Sequence, residues 1–407
     1  MTDHSSAVAV IGGGQAGLAT GYYLRRAGFA AGIDYVIFDA RPQPGGAWQD
    51  GWQSLRLFSP SDHSSLPGWQ MPTWTEGFPP ADHVRDYLTR YEKRYDLPVK
   101  HGIRVTAVRY QAEPDDGFWV ETTAGRWQAR AVVSATGTWD RPFWPVYPGM
   151  RSFRGRQLHT ADYRGPTDFT GQHVIVVGGG NSAAQILAEV STVTTTTWVT
   201  QRPPRYLPDD VDGRVLFDVA TARSAALSQG GSDTGGVAAL GDIVMVPPVK
   251  DARRRGVLIA QPPFARLTTT GVSWADGSAQ AADAIIWCTG FRPSLSHLAP
   301  LRLTRNGQHP ATHGTQAVGD PRVHLIGYGD WTGPASATLI GVGRTARAAA
   351  ADLTPLTHHH TRSDNSPQNR RIAAVATPRQ PAAKGEGAQP MIHGNGPGPV
   401  QQPQSLP

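Results

Sequence analysis

The 407-residue chain holds 38 Lys and Arg against 32 Asp and Glu, a net charge of +6, and a single cysteine, Cys288. Its length suits two to three domains with sizeable cores, and the lone cysteine excludes both an intramolecular disulfide and a dithiol redox pair. No run reaches the roughly 18 apolar residues of a membrane span and no basic-then-apolar leader opens the chain, so a cytoplasmic enzyme without membrane contact is expected. The charge is no argument for nucleic acid, because the basic residues are dispersed and half of the excess lies beyond Leu356.

The apolar run Ala7–Ile11 reads as a buried parallel strand, and Gly12, Gly14 and Gly17 follow at the spacing of a dinucleotide fingerprint. Gly12 permits the tight turn, Gly14 lets a pyrophosphate approach backbone, and Gly17 lets the next helix, which runs to Gly28, pack on its strand. A second apolar run, Tyr35–Phe38, ends in Asp39, where an acidic side chain takes the ribose hydroxyls of an adenine dinucleotide. Gly45 and Gly46 then allow close backbone approach, and Trp48 and Trp52 offer flat faces to a ring such as a flavin. Ser54 to Trp74 has polar punctuation and no sustained period, which predicts a long functional loop. His83–Arg94 carries Val84, Tyr87, Leu88 and Tyr91 at helical spacing and predicts a surface helix.

Val105–Tyr110, Gly117–Thr122 and Arg126–Val133 alternate as antiparallel strands, and the last leads to Thr136 and Gly137, a turn that lets backbone come near a cofactor. Val174–Val177 is a second buried strand, and Gly178, Gly180 and Ala183 after it repeat the fingerprint. The strand Thr197–Thr200 ends not in an acid but in Gln201 and Arg202, and arginine there suits a 2′-phosphate. The acidic first site is therefore expected to hold FAD and the basic second one NADPH. Residues 203–261 show one helical pattern around Val215–Leu227 and a Gly/Ser-rich stretch, Gln229–Gly236, that predicts a mobile loop; no chemistry is assigned to them. Asp283–Trp287 predicts a strand leading into Cys288, a small buried residue. His324–Ile326 leads to Asp330, placed to bind a ribityl hydroxyl before a small-residue helix whose N-terminus would stabilise negative charge on a reduced flavin. Beyond Leu356 the composition predicts disorder, and His358–His360 has no fixed geometry for a metal.

Phe153–Tyr163, FRGRQLHTADY, resembles the identifying sequence of flavin-containing monooxygenases through Phe153, Gly155, His159 and Tyr163. The resemblance spans about Ala7–Leu353. The loop patterns GGAW, SLRLFSP, SSLPGW and FPP are in addition similar to those of the flavin monooxygenases of bacterial arsenic-resistance operons. It implies an α/β fold of two Rossmann-like dinucleotide-binding domains with parallel sheets, the NADPH domain inserted into the FAD domain. The segments are then 1–165 and 281–355 for FAD, 166–280 for NADPH and 356–407 for the tail.

The resemblance further implies that FAD is held by Gly12, Gly14, Gln15, Gly17, Asp39, Gly46, Trp48, Val105, Thr136, Gly137 and Asp330, and NADPH by Gly178, Gly180, Asn181, Ser182 and Arg202. Ser59 stands where the family often places an asparagine near the nicotinamide, and His159 is the second candidate, in a catalytic or a structural role. The implied reaction is transfer of one oxygen atom from O2, through a flavin hydroperoxide, to a small soft nucleophile such as a trivalent arsenic compound. Tyr163 is followed by Arg164 rather than the Trp-Pro of Baeyer–Villiger members, which disfavours that class. A flavin-dependent NADPH oxidase or redox-sensing flavoprotein is the alternative, and a pyridine-nucleotide disulfide reductase lacks its cysteine pair. A homodimer is compatible with all of these.

Overall fold

A computed structural model describes residues 4–112, 116–211, 213–228 and 242–359. The stretch Gln229–Gly236 and the tail beyond 359 lie outside the described residues. Among the described residues no helix is long and apolar enough to cross a membrane.

The first strand, His4–Ile11, runs parallel between Tyr35–Phe38 and Gly125–Ser134, with Val10 opposite Ile37 on one side and Val133 on the other. Val99–Lys100 extends this sheet beyond Tyr35–Phe38, and Asp320–Leu325 extends it beyond Gly125–Ser134, both in parallel. Ala7–Ile11 is buried on both faces, which is why it reads as a continuous apolar run. Val8 and Val10 pack with Leu18 of the helix Gln15–Arg26 and with Ala346 of the helix Val342–Leu353, whereas Ala9 and Ile11 pack with Val108, Phe118 and Leu298. Each such fully buried Val, Leu or Phe contributes about 1.5–3 kcal/mol of transfer free energy. The three strands expected to be antiparallel are Val105–Tyr110, Phe118–Thr122 and Gly125–Ser134, and the third has two uses. Residues 125–129 pair antiparallel with Phe118–Thr122 while residues 127–134 pair parallel with His4–Ile11.

A second sheet has the order Ala260–Gln261, Thr195–Val199, His173–Val177, Ala284–Trp287, Arg156–His159, every pair parallel. Val174 and Val176 face the helices Asn181–Val190 and Pro247–Arg254, and Ile175 and Val177 pack with Phe264 and Trp287 on the other face. The expected segmentation at 165 and 281 assigns Arg156–His159 and Ala284–Trp287 to the first sheet, but both pair in the second. The reason is register: Ala284–Trp287 is fully buried and parallel to two neighbours at once, Val174–Val177 and Arg156–His159, and can satisfy its backbone only between them.

Candidate active site

Gly12 has φ 109° and donates its N–H to the Phe38 carbonyl at 2.7 Å. A Cβ there would lie 2.4 Å from the carbonyl oxygen of Ala135, and one on Gly17 would lie 1.8 Å from that of Gly12. Gly12 therefore requires glycine for conformation as well as contact, and Gly17, inside the helix, for contact alone. Asp39 is buried, and its two carboxylate oxygens accept the N–H groups of Gly13 at 2.6 Å and Arg41 at 2.7 Å. Gly46, at φ 54°, approaches so closely that a Cβ would meet Gly14 Cα at 2.6 Å, so GGAW is packed onto the fingerprint itself. Gln15 completes the clamp: its side chain accepts from Trp48 Nε1 at 3.2 Å and donates to the Ala337 carbonyl at 2.6 Å.

These residues wall a cavity of about 570 Å3 whose lining includes Gly12, Gly14, Gln15, Asp39, Gly46, Trp48, Val105, Thr136 and Gly137. Gly137, at φ 61°, leaves open space where a Cβ would stand, and Thr136 is fixed by a bond from its hydroxyl to the Ser294 carbonyl at 2.6 Å. Sequence reasoning missed the wall beneath. Ser134 Oγ lies 2.6 Å from the Tyr328 hydroxyl and 3.1 Å from His297 Nε2, and burial holds His297 down at about 4. Only the tertiary fold brings residues so far apart in sequence together.

The second fingerprint repeats this geometry. Gly178 donates to the Val199 carbonyl at 2.9 Å, and a Cβ on it would lie 2.2 Å from the carbonyl oxygen of Cys288. Cys288 is thus the counterpart of Ala135; as a residue it is half-buried rather than buried as expected, though its thiol is enclosed and burial pushes it up to about 12. Asn181 Oδ1 accepts the Val244 N–H at 2.8 Å and so ties the start of its helix to the buried segment Ile243–Val246; Ser182 follows it in the first turn. Arg202 is exposed at the rim, whereas its neighbour Arg205 is paired with Asp242 at 2.7 Å.

Each residue of the identifying segment has a fastening task. Phe153 is core, a Cβ on Gly155 would strike the Asp283 carbonyl oxygen at 2.4 Å, and the buried Tyr163 hydroxyl donates to Glu189 Oε2 at 3.0 Å. His159 is fully buried, its Nδ1 accepting the Ala161 N–H at 3.2 Å, which leaves Nε2 to donate to the Gly290 carbonyl at 3.0 Å. Burial lowers its pKa, keeping it neutral.

Ser59 lines a second cavity of about 510 Å3 that shares Gln15, Trp48, Leu55 and Ala337 with the first. Its walls are largely apolar, with Phe58, Phe217, Leu339 and Ile340, and Asp330 also lines it. Ser59 Oγ lies 2.9 Å from Ser64 Oγ. Phe217 belongs to the helix Gly213–Ser228, in the segment to which the sequence suggested no chemistry. Arg344 holds that helix, lying 5.4 Å above the Phe217 ring and donating to Thr221 Oγ1 at 3.0 Å. Asp330 is exposed at the start of the turn Asp330–Thr332, and the small-residue helix expected directly after it begins only at Val342. The left-handed Ala335, φ 59°, and Gly333, φ 129°, keep the chain between them out of a helix. Of the two tryptophans expected to face a flavin, Trp48 lines both cavities, whereas Trp52 is core against Tyr163.

Two sheets with parallel central strands that each open on a glycine turn, one backed by the buried Asp39 and the other followed by the exposed Arg202, define a flavin- and pyridine-nucleotide-dependent oxidoreductase. The model of the family described as pyridine nucleotide-disulphide oxidoreductase matches residues 9–214. The solved flavin-containing monooxygenase from Stenotrophomonas maltophilia is 51% identical and superposes with a TM-score of 0.77 over 86% of this chain and 99% of that one. The uncharacterized oxidoreductase CzcO of Bacillus subtilis is 30% identical over 70% of this chain and 81% of its own length. Senecionine N-oxygenase of Tyria jacobaeae is 23% identical over 79% of this chain and 67% of its own. The chain belongs to the pyridine nucleotide-disulphide oxidoreductase family and within it is a flavin monooxygenase. Flavin monooxygenases of this family use FAD and NADPH. The glycine cradles that a Cβ would fill and the buried Asp39 fit the first of these, and the Gly178 turn fits the second.

Proposed function

We propose that the protein is an FAD-dependent, NADPH-consuming monooxygenase that inserts one oxygen atom from O2 into a small soft nucleophile, with trivalent arsenic compounds the first candidates and sulfides or amines next. The observation that carries this reading is the apolar cavity of about 510 Å3 that meets the glycine-lined cavity across Gln15, Trp48, Leu55 and Ala337. A bound flavin would supply the electron transfer from the nicotinamide and the activation of oxygen. The chain's own residues bind, orient and exclude water. Gln15 fixes Trp48 against Ala337, while Leu55, Phe58, Phe217 and Leu339 form a dry wall. Ser59 offers the polar contact, and without a cysteine cluster an arsenical is held by shape and such contacts. His159, engaged at both ring nitrogens, is a positioning residue that sets the Gly290 turn.

The same reading divides the chain into an FAD part, about 1–165 with 281–355, an NADPH part between them and a dispensable tail, with the sheets themselves changing over near 156 and after 287. Removing residues 360–407 should then leave flavin content unchanged, and loss of FAD would overturn that division. The function is tested by following NADPH, peroxide and oxygenated product together with trivalent arsenicals, methyl sulfides and tertiary amines. Product equal to NADPH consumed supports it. Peroxide accounting for all NADPH with every candidate would favour the oxidase alternative.

A further inference from the structure

Beside the glycine-lined cavity, and sharing Ser296 with it, lies a cavity of about 660 Å3 lined by Arg141, Arg292, Arg302 and Arg305, together with His309. Its lining includes no aspartate or glutamate. Most arginines near the first sheet are neutralised: Arg41 by Asp50 and Asp140, Arg109 by Glu121, Arg322 by Asp320 and Asp116. By contrast, among the described residues none of these four has a carboxylate within 4 Å. Arg292 lies over the Phe143 ring at 4.5 Å, and Arg305 donates to the Gln308 carbonyl.

The fold brings these charges together deliberately in the geometric sense. Arg141 and Arg292 lie on the two connections between the sheets, which are paired to each other: Arg292 N–H donates to the Arg141 carbonyl at 2.8 Å and Phe143 N–H to the Gly290 carbonyl at 2.9 Å. Arg302 closes the turn Ser296–Leu301 with φ 50°, a left-handed conformation that disfavours residues other than glycine. All four side chains are exposed, so solvent screens their mutual repulsion, and what the arrangement offers is convergence of positive charge on one open space that attracts an anion. Guanidinium forks match the paired oxygens of phosphate groups, and a cavity of this size exceeds what a single monatomic ion would fill.

We propose that this cavity is a binding site for a small, multiply charged phosphate compound of the pyrophosphate type, separate from both dinucleotide sites. At the fingerprints backbone N–H groups at helix N-termini receive phosphate; here side-chain guanidinium groups do. A ligand bound to Arg141 and Arg292 joins the two inter-sheet connections, and Ser296, shared with the glycine-lined cavity, places it next to the first site.

The test uses the full-length, FAD-loaded protein and inorganic pyrophosphate, with NADP+ at saturation so that the second fingerprint is filled. Calorimetry should show saturable binding, and thermal unfolding should move upward with pyrophosphate concentration, as mass action requires. The double substitution Arg302→Ala with Arg305→Ala should weaken binding by about tenfold or more, on the usual scale of charge-assisted hydrogen bonds. Should the double variant lose its flavin, Arg141→Gln alone, still yellow, should show the same direction of change. Binding that vanishes when NADP+ saturates, binding indifferent to these substitutions, or no saturable binding below about 1 mM would each overturn the proposal.

Discussion

The two glycine turns share backbone geometry and differ in what surrounds it. At both, the strand-end glycine donates to the carbonyl that ends a neighbouring strand, Phe38 for Gly12 and Val199 for Gly178. Both press on the carbonyl at the end of another neighbouring strand, Ala135 or Cys288. The first is enclosed: Asp39 is held by two backbone N–H groups, Gly46 touches Gly14, and Gln15 reaches Trp48 and Ala337. The second presents an exposed Arg202 and fastens its helix to Ile243–Val246. Under the proposed function the enclosed turn is the one that retains a flavin and the open one the one that exchanges a nicotinamide.

Alanine at each turn separates the two sites. Gly12→Ala combines a positive φ with a 2.4 Å clash on backbone, and should cost on the order of 3 kcal/mol or more and abolish FAD retention. Gly178→Ala meets the Cys288 carbonyl at 2.2 Å and should abolish NADPH binding while the purified protein stays yellow. Loss of FAD in both variants would show that the two turns are not independent.

Acid comes next in size and concerns the first site, whose wall contains His297. Burial holds His297 and His324 at about 4, against an ordinary value of 6.5. The unfolded chain takes up these protons below about 6.5 while the folded one resists until about 4, so stability present above that window is lost as pH falls through it. The loss is on the order of 3 kcal/mol per histidine. Thermal unfolding from pH 7 to 4 should record it, and His297→Gln should flatten about half of the slope. An unchanged slope would mean that His297 is already charged in the folded protein.

Arg202→Ala should weaken NADPH by about 1.5–3 kcal/mol and leave NADH nearly unaffected, as expected for charged hydrogen bonds to a 2′-phosphate. Titration with both nucleotides decides this, and an equal loss for both would remove Arg202 from the selection. Arg205 is a poor substitute because Asp242 already engages it. The smallest effect is expected from Phe217→Ala, which enlarges the apolar cavity. It should shift the ratio of KM values between bulky and small sulfides by on the order of 1 kcal/mol in favour of the bulky ones, with FAD content unchanged.

Both fingerprint turns and the strands that lead into them are legible because each rests on local chemistry: buried strands are continuous apolar runs and tight turns need glycine. The single cysteine was likewise sufficient to set aside dithiol chemistry. What the chain order concealed was decided by packing across long separations. Arg156–His159 and Ala284–Trp287 change sheets because their backbone partners are there, which no local propensity records. The helix of Phe217 becomes a cavity wall only where Arg344, 127 residues further on, holds it. Ser134, His297 and Tyr328 form one buried group for the same reason, and the four unneutralised arginines meet only because two inter-sheet connections run side by side. Periodicity and motif spacing report on neighbours within a turn or a strand, whereas burial, charge pairing and cavity shape depend on which distant surfaces the fold brings into contact.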